Sequence, residues 1–170
     1  MAQDSETLLG RVVASISTGG DPTPSGRHQK SILSQAAASF ARRPTEAEST
    51  IPTGFDPQAA SLFEAVIEAS YLVANADGDF DDTERATFEK VVHEACQNAV
   101  QQSEVRALVS DLSDQLEEDG MDQRIAMVSR SVTSDNHKLE VLRIAALMAY
   151  ISGGVDETER DVMAKLAAGF

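Results

Sequence analysis

Apolar residues recur every three or four positions through most of this 170-residue chain, a spacing that predicts helices. Near the N-terminus Leu8, Leu9, Val12, Val13 and Ile16 share one face of a helix over residues 4–17. The run Gly19-Gly20-Asp21-Pro22-Thr23-Pro24-Ser25-Gly26 then breaks regular structure. Ile32, Leu33, Ala36 and Phe40 mark a second helix over residues 27–43, stopped by Pro44, and Thr45 to Gly54 reads as a linker. Asp56-Pro57 is a helix start, with Asp as N-cap and Pro at the first helical position. From there Leu62, Phe63, Val66, Ile67, Tyr71 and Ala74 keep the helical period. Phe88, Val91, Val92, Ala95 and Ala99 predict a helix over about residues 81–100, and Val105, Leu108, Val109, Leu112 and Leu116 one over about 102–118. Gly120 suits the position after that helix. Met121, Ile125, Val128 and Val132 form a short stripe. Leu139, Leu142, Ala145, Ala146 and Ala149 follow a cap at Ser134 or Asp135, and Val162, Met163 and Leu166 end the pattern. No stretch sustains period-two alternation, so no sheet is expected. The reading is all-α: a compact bundle of about six helices over residues 55–170. An N-terminal extension and linker over residues 1–54 precedes it, with one or two short helices and part of it expected to lack fixed structure.

Within that bundle one phrase occurs twice. Ala-Asn-Ala-Asp-Gly-Asp-Phe-Asp-Asp-Thr-Glu-Arg from Ala74 to Arg85 returns as Ala-Tyr-Ile-Ser-Gly-Gly-Val-Asp-Glu-Thr-Glu-Arg from Ala149 to Arg160, 75 residues on. Each copy is an apolar helical run, a glycine turn, one apolar residue and an acidic helix start, so the bundle is read as two helix–acidic loop–helix units. Asp81 with Glu84, and Asp156 with Glu159, have capping-box spacing, and acids in a first helical turn suit the helix dipole. Phe80 and Val155 are placed to staple the loops to the core. Capping leaves Asp77 and Asp79 unexplained, one on each side of Gly78.

Composition adds limits. Aromatics are 5% of the chain and Trp is absent, which leaves the core to Ala, Leu, Val, Ile and Met. The net charge is −14, and its distribution is uneven: residues 1–54 hold five acids and five bases, residues 55–170 hold 23 acids and nine bases. Such a field repels phosphate backbones and argues against nucleic-acid binding; it favours cations and basic partners. The lone Cys96 excludes an intrachain disulfide, the start has no signal-peptide pattern, and no apolar run reaches the length of a membrane span. A cytoplasmic protein is expected. The extension can be a docking arm, a loose cover on the bundle or, less favoured because its apolar stripe is thin and Ala-rich, a membrane-surface helix.

The acidic loops are the candidate chemistry. Asp77, Asp79, Asp81, Asp82 and Glu84 crowd eight positions. Set against a calcium-binding EF-hand loop with Gly78 on its glycine, Asn75, Asp77, Asp81 and Glu84 fall at ligand positions, but Val73 stands at the first and cannot coordinate. The second copy has Met148, Tyr150 and Ser152 at the early positions and keeps Asp156 and Glu159. One loop is short of ligands; two facing loops are not. The candidate metal residues are therefore Asp77, Asp79, Glu84, Asp156 and Glu159, and calcium or magnesium suits such oxygen donors better than zinc. His93 and Cys96, three apart on one helix, are too few for a zinc site. No nucleophile–base pair, phosphate-cradling loop or HExxH occurs, so no enzyme is expected.

The segment Tyr71 to Arg85, with its Ala-x-x-Asp-Gly-x-Phe-x-x-x-Glu core from Ala74 to Glu84, resembles the signature of the TerB-like tellurite-resistance family, and Ala149 to Arg160 resembles that family's second, weaker copy. The resemblance spans about residues 56–170 and leaves 1–54 without counterpart. It implies an all-helical fold with a pseudo-repeat, acidic loops proposed to bind metal, and links to tellurite resistance and stress response through protein complexes near the bacterial membrane. The matched positions are Asp77, Gly78, Glu84, Asp156 and Glu159, and Ser152 departs from the pattern. Two functions follow as expectations: a cation-binding, non-enzymatic interaction module, or a metal-independent acidic adaptor that docks a basic protein partner.

Overall fold

In the computed structural model, which describes residues 2–22, 28–44, 50–151 and 154–170, helices start where the sequence supplies caps. The described residues form α1 (Ala2–Ser17), β1 (Thr18–Pro22), β2 (His28–Lys30), α2 (Ile32–Phe40), α3 (Pro57–Ala74), α4 (Asp82–Ala95), α5 (Gln102–Asp119), α6 (Met121–Ser131), α7 (Asp135–Ile151) and α8 (Glu157–Gly169). The Asp56 carboxylate accepts from the amides of Gln58 and Ala59, and Pro57 opens α3 as expected. Gly120, at φ +80°, separates α5 from α6. Part of the Gly/Pro break (23–27), part of the linker (45–49) and Ser152 lie outside the described residues.

Two boundaries differ from the sequence reading. Where a helix from residue 27 and no sheet were expected, β1 and β2 pair antiparallel, with Thr18 opposite Lys30 and Pro22 opposite His28. The ladder takes up residues 28–30. Helix α2 waits for Ser31, whose extended backbone and hydroxyl, 3.2 Å from the Ser34 amide, make the real N-cap. The helix expected to reach residue 100 stops at Ala95, because Gln97 and Asn98 enter the left-handed region. The His93 ring Nδ1, 2.8 Å from the Val100 carbonyl oxygen, ties that turn back to α4.

Helix α3 is the hub. Its stretch Ala65–Val73 is buried on nearly every face except at Glu68, which fits a helix enclosed by neighbours. It packs against α2 and α7 most extensively and also meets α5, α6 and α8. The N-terminal segment shares this core. Val12, Ile16, Leu33, Ala36 and Phe40 belong to the same buried cluster as Phe63, and the Phe40 and Phe63 rings lie 4.5 Å apart. Polar contacts pin it as well. Ser34 Oγ donates to the Ala95 carbonyl at 2.9 Å. Arg143 of α7 donates to the carbonyls of Ser15 and Thr18 at 2.8 and 2.7 Å, satisfying acceptors where α1 ends and β1 begins. Helices α1 and α2 of the extension are therefore a layer of the bundle.

Candidate functional site

Each acidic loop is built by the same local device. Asp81 Oδ1 accepts from the amides of Thr83 and Glu84 at 2.7 and 2.8 Å, while Glu84 Oε2 accepts from the Asp81 amide at 3.1 Å. In the second loop Asp156 Oδ1 accepts from the Glu159 amide at 2.8 Å, and Glu159 Oε2 accepts from the Asp156 amide at 2.9 Å. Both capping boxes read from the sequence are present, and they orient Glu84 and Glu159 back over the loops that precede their helices. Asp77 Oδ1 accepts from the Asp79 amide at 3.0 Å across Gly78, whose φ of +80° only glycine adopts without strain. Phe80 anchors the first loop, edge-on to Tyr71 at 5.4 Å and to Phe88 at 5.9 Å, and Val155 packs partly buried against the core.

These devices put both loops on one cleft. A cavity of about 240 Å³ is lined by Ala74, Asp77, Asp79, Glu84, Gly154, Asp156 and Glu159. All five candidate metal residues face it together, although the sequence separates the two groups by more than 70 positions. Asp77 and Asp79 are exposed, Glu84 is half-buried, and Glu159 is only 7% exposed. Among the described residues, however, no three such donors converge closely enough to hold an ion as they stand. Glu84, Glu159 and Asp77 each spend one oxygen on a backbone amide. A carboxylate bonded through one oxygen keeps acceptor capacity on the other.

Electrostatics reports the crowding. Burial raises the Glu159 carboxyl above its ordinary value; the Asp156 amide pulls it back, and the charges of Asp156, Asp77 and Glu84 push it further up. Two of those charges belong to the opposite loop. Asp156 goes the other way, held low by the Glu159 amide and the Thr158 hydroxyl. Glu159 is buried where Asp77, Asp79 and Asp156 are exposed, because α8 lies against α7 and α3, and that packing leaves no local mark in the sequence.

The other residues weighed in the sequence serve structure. Cys96 is buried, with its thiol pushed up to about 12 by desolvation. Met148 is buried and Met163 packs against the core. One feature was missed: Arg124, nearly buried, bonds Glu68 at 2.6 Å and Asp119 at 3.0 Å, locking α6 to α3 and to the end of α5.

A family model described as tellurite resistance protein TerB matches residues 63–170. Searches among curated proteins and among solved structures give no match.

Proposed function

Since that match covers well over half of the chain, the protein belongs to the TerB tellurite-resistance family, and from this premise we propose that it is a non-enzymatic, cytoplasmic interaction module that receives a divalent cation in the cleft between its acidic loops. The observation that carries the reading is the convergence of Asp77, Asp79 and Glu84 with Asp156 and Glu159 on a single cavity. Carboxylates gathered there repel one another, and a hard cation relieves the repulsion. The ligand type favours calcium or magnesium. Glu84 and Glu159 would offer the oxygens turned away from their caps, and Asp77 and Asp79 are exposed enough to reorient. The field of an acidic bundle draws cations toward it.

Calorimetric and thermal-shift titration with calcium, magnesium and manganese tests the ion. An ion at 100 times its Kd adds about 2.7 kcal/mol, a rise in Tm of roughly 5–10 °C for a domain of this size. Asp77→Asn combined with Glu84→Ala is expected to abolish that rise. A flat titration at millimolar ion would sink the reading.

A further inference from the structure

A second cavity adjoins the acidic cleft and is of opposite character. It measures about 210 Å³, and its walls are Phe80, Phe88, Val91, Met148 and Ile151. Exposed Thr83 and half-buried Thr87 complete the lining beside Glu84. Ala74 and Glu84 line both cavities, so the apolar pocket and the carboxylates share one wall. Among the described residues neither lining includes Lys or Arg.

We propose that this pocket and the cleft beside it form one docking surface for a segment of a partner protein that presents a single bulky apolar side chain flanked by lysines or arginines. The volume argues for a side chain. Pockets for metabolites and drug-sized ligands run to about 300–1,000 Å³, whereas a space of about 210 Å³ takes one Leu, Met or Phe. A desolvated anchor in a small pocket is how many interfaces concentrate their binding energy. Met148 and Phe80 suit that use, the first through its flexible thioether and the second because it stands on the loop rather than in the helix that follows. The flank is set by charge. An apolar anchor seated here brings its neighbours over Glu84, Asp77 and Asp79, where a basic residue is attracted and an acidic one repelled. The proposal rests on the interaction half of the reading above and not on the ion. It adds that a divalent cation in the cleft weakens the docking, because both draw on the same carboxylates.

The test is fluorescence anisotropy on the full chain with two labelled peptides, Lys-Lys-Phe-Lys-Lys and the same peptide with Gly for Phe. The Phe peptide is expected to bind at least tenfold tighter, about 1.4 kcal/mol. Thr83→Lys places charge at the pocket mouth while sparing the cap, since Thr83 bonds Asp81 through its backbone amide. It is expected to erase the difference between the peptides. Asp77→Asn with Asp79→Asn, both exposed, is expected to weaken the two peptides alike and to flatten their salt dependence. Equal binding of the peptides, or none, overturns the proposal whatever the ion titration shows. Tight Phe-peptide binding beside a flat ion titration removes the ion reading alone. A concentration-dependent dimer abolished by Thr83→Lys overturns it in favour of a second copy of this chain as occupant.

Discussion

At Gly78 no heavy atom lies within 4 Å of the place a Cβ would take, so Gly78→Ala meets no neighbour and its cost is the backbone's alone. With φ at +80° that cost is about 1 kcal/mol, read as a lowered denaturation midpoint. Asp81→Ala removes the acceptor for two amides at the start of α4 and is expected to cost about 1 kcal/mol in the same assay. Glu159 makes a sharper case. Because its pKa is raised in the fold, folding favours the protonated acid. Its ionisation therefore costs stability at neutral pH, the cost falls as pH drops through the raised value, and it is gone below the ordinary one. Asp156, held low, has the opposite sign: its stabilisation is present above the ordinary aspartate value and is lost as pH falls through the lowered one. Glu159→Gln keeps an acceptor for the Asp156 amide but removes the charge. It should melt higher than the parent near pH 7, with the gain fading toward about pH 4; a constant gain at all pH would count against electrostatic crowding. The capping boxes were legible in the sequence because they are local and their spacing is fixed. Glu159's burial was not, since it follows from helices far apart in the chain.

Among the elements, one arginine does what hydrophobic periodicity does not report. Arg124 holds α6 to Glu68 of α3 and to Asp119, with side chains 9%, 12% and 23% exposed. Burial raises the Glu68 carboxyl, and Arg124 is the group that pulls it back. Arg124→Ala therefore strands a largely buried acid and is expected to cost about 3 kcal/mol; adding Glu68→Gln should recover part of the loss, a coupling that a double-mutant cycle in urea measures. Helix positions were read from their apolar stripes to within a few residues for α3, α5 and α7, whereas α2 and α4 were overextended. In both the deciding groups are polar: the Ser31 hydroxyl that starts α2, and the left-handed Gln97 and Asn98 that end α4. Such groups have no period. The β1–β2 pairing escaped for a related reason, since a strand of Thr, Gly, Gly, Asp and Pro lacks any alternation to detect.

For the whole molecule, the family match begins at residue 63, but the core does not. Phe40 stacks on Phe63, and Val12 and Ile16 are buried among the same side chains. A truncation that starts at residue 55 uncovers the α2 side of α3, and it is expected to lose its sharp cooperative melt and to aggregate, as seen by calorimetry and light scattering. The sequence divided the chain at that place because charge and glycine–proline content change there. Packing ignores both signals. Arg143 makes the joint specific, bonding the carbonyls of Ser15 and Thr18 across 128 and 125 positions of chain. During synthesis α1 leaves the ribosome before α7, and the arginine that seals it follows 125 residues later, roughly 6–25 s at usual translation rates. Through that interval α2 and α4 can pack on α1, but the α7 side of it stays open. α1 is therefore made long before its joint with α7 can close, and slower translation of the chain between them lengthens the time that face stays open.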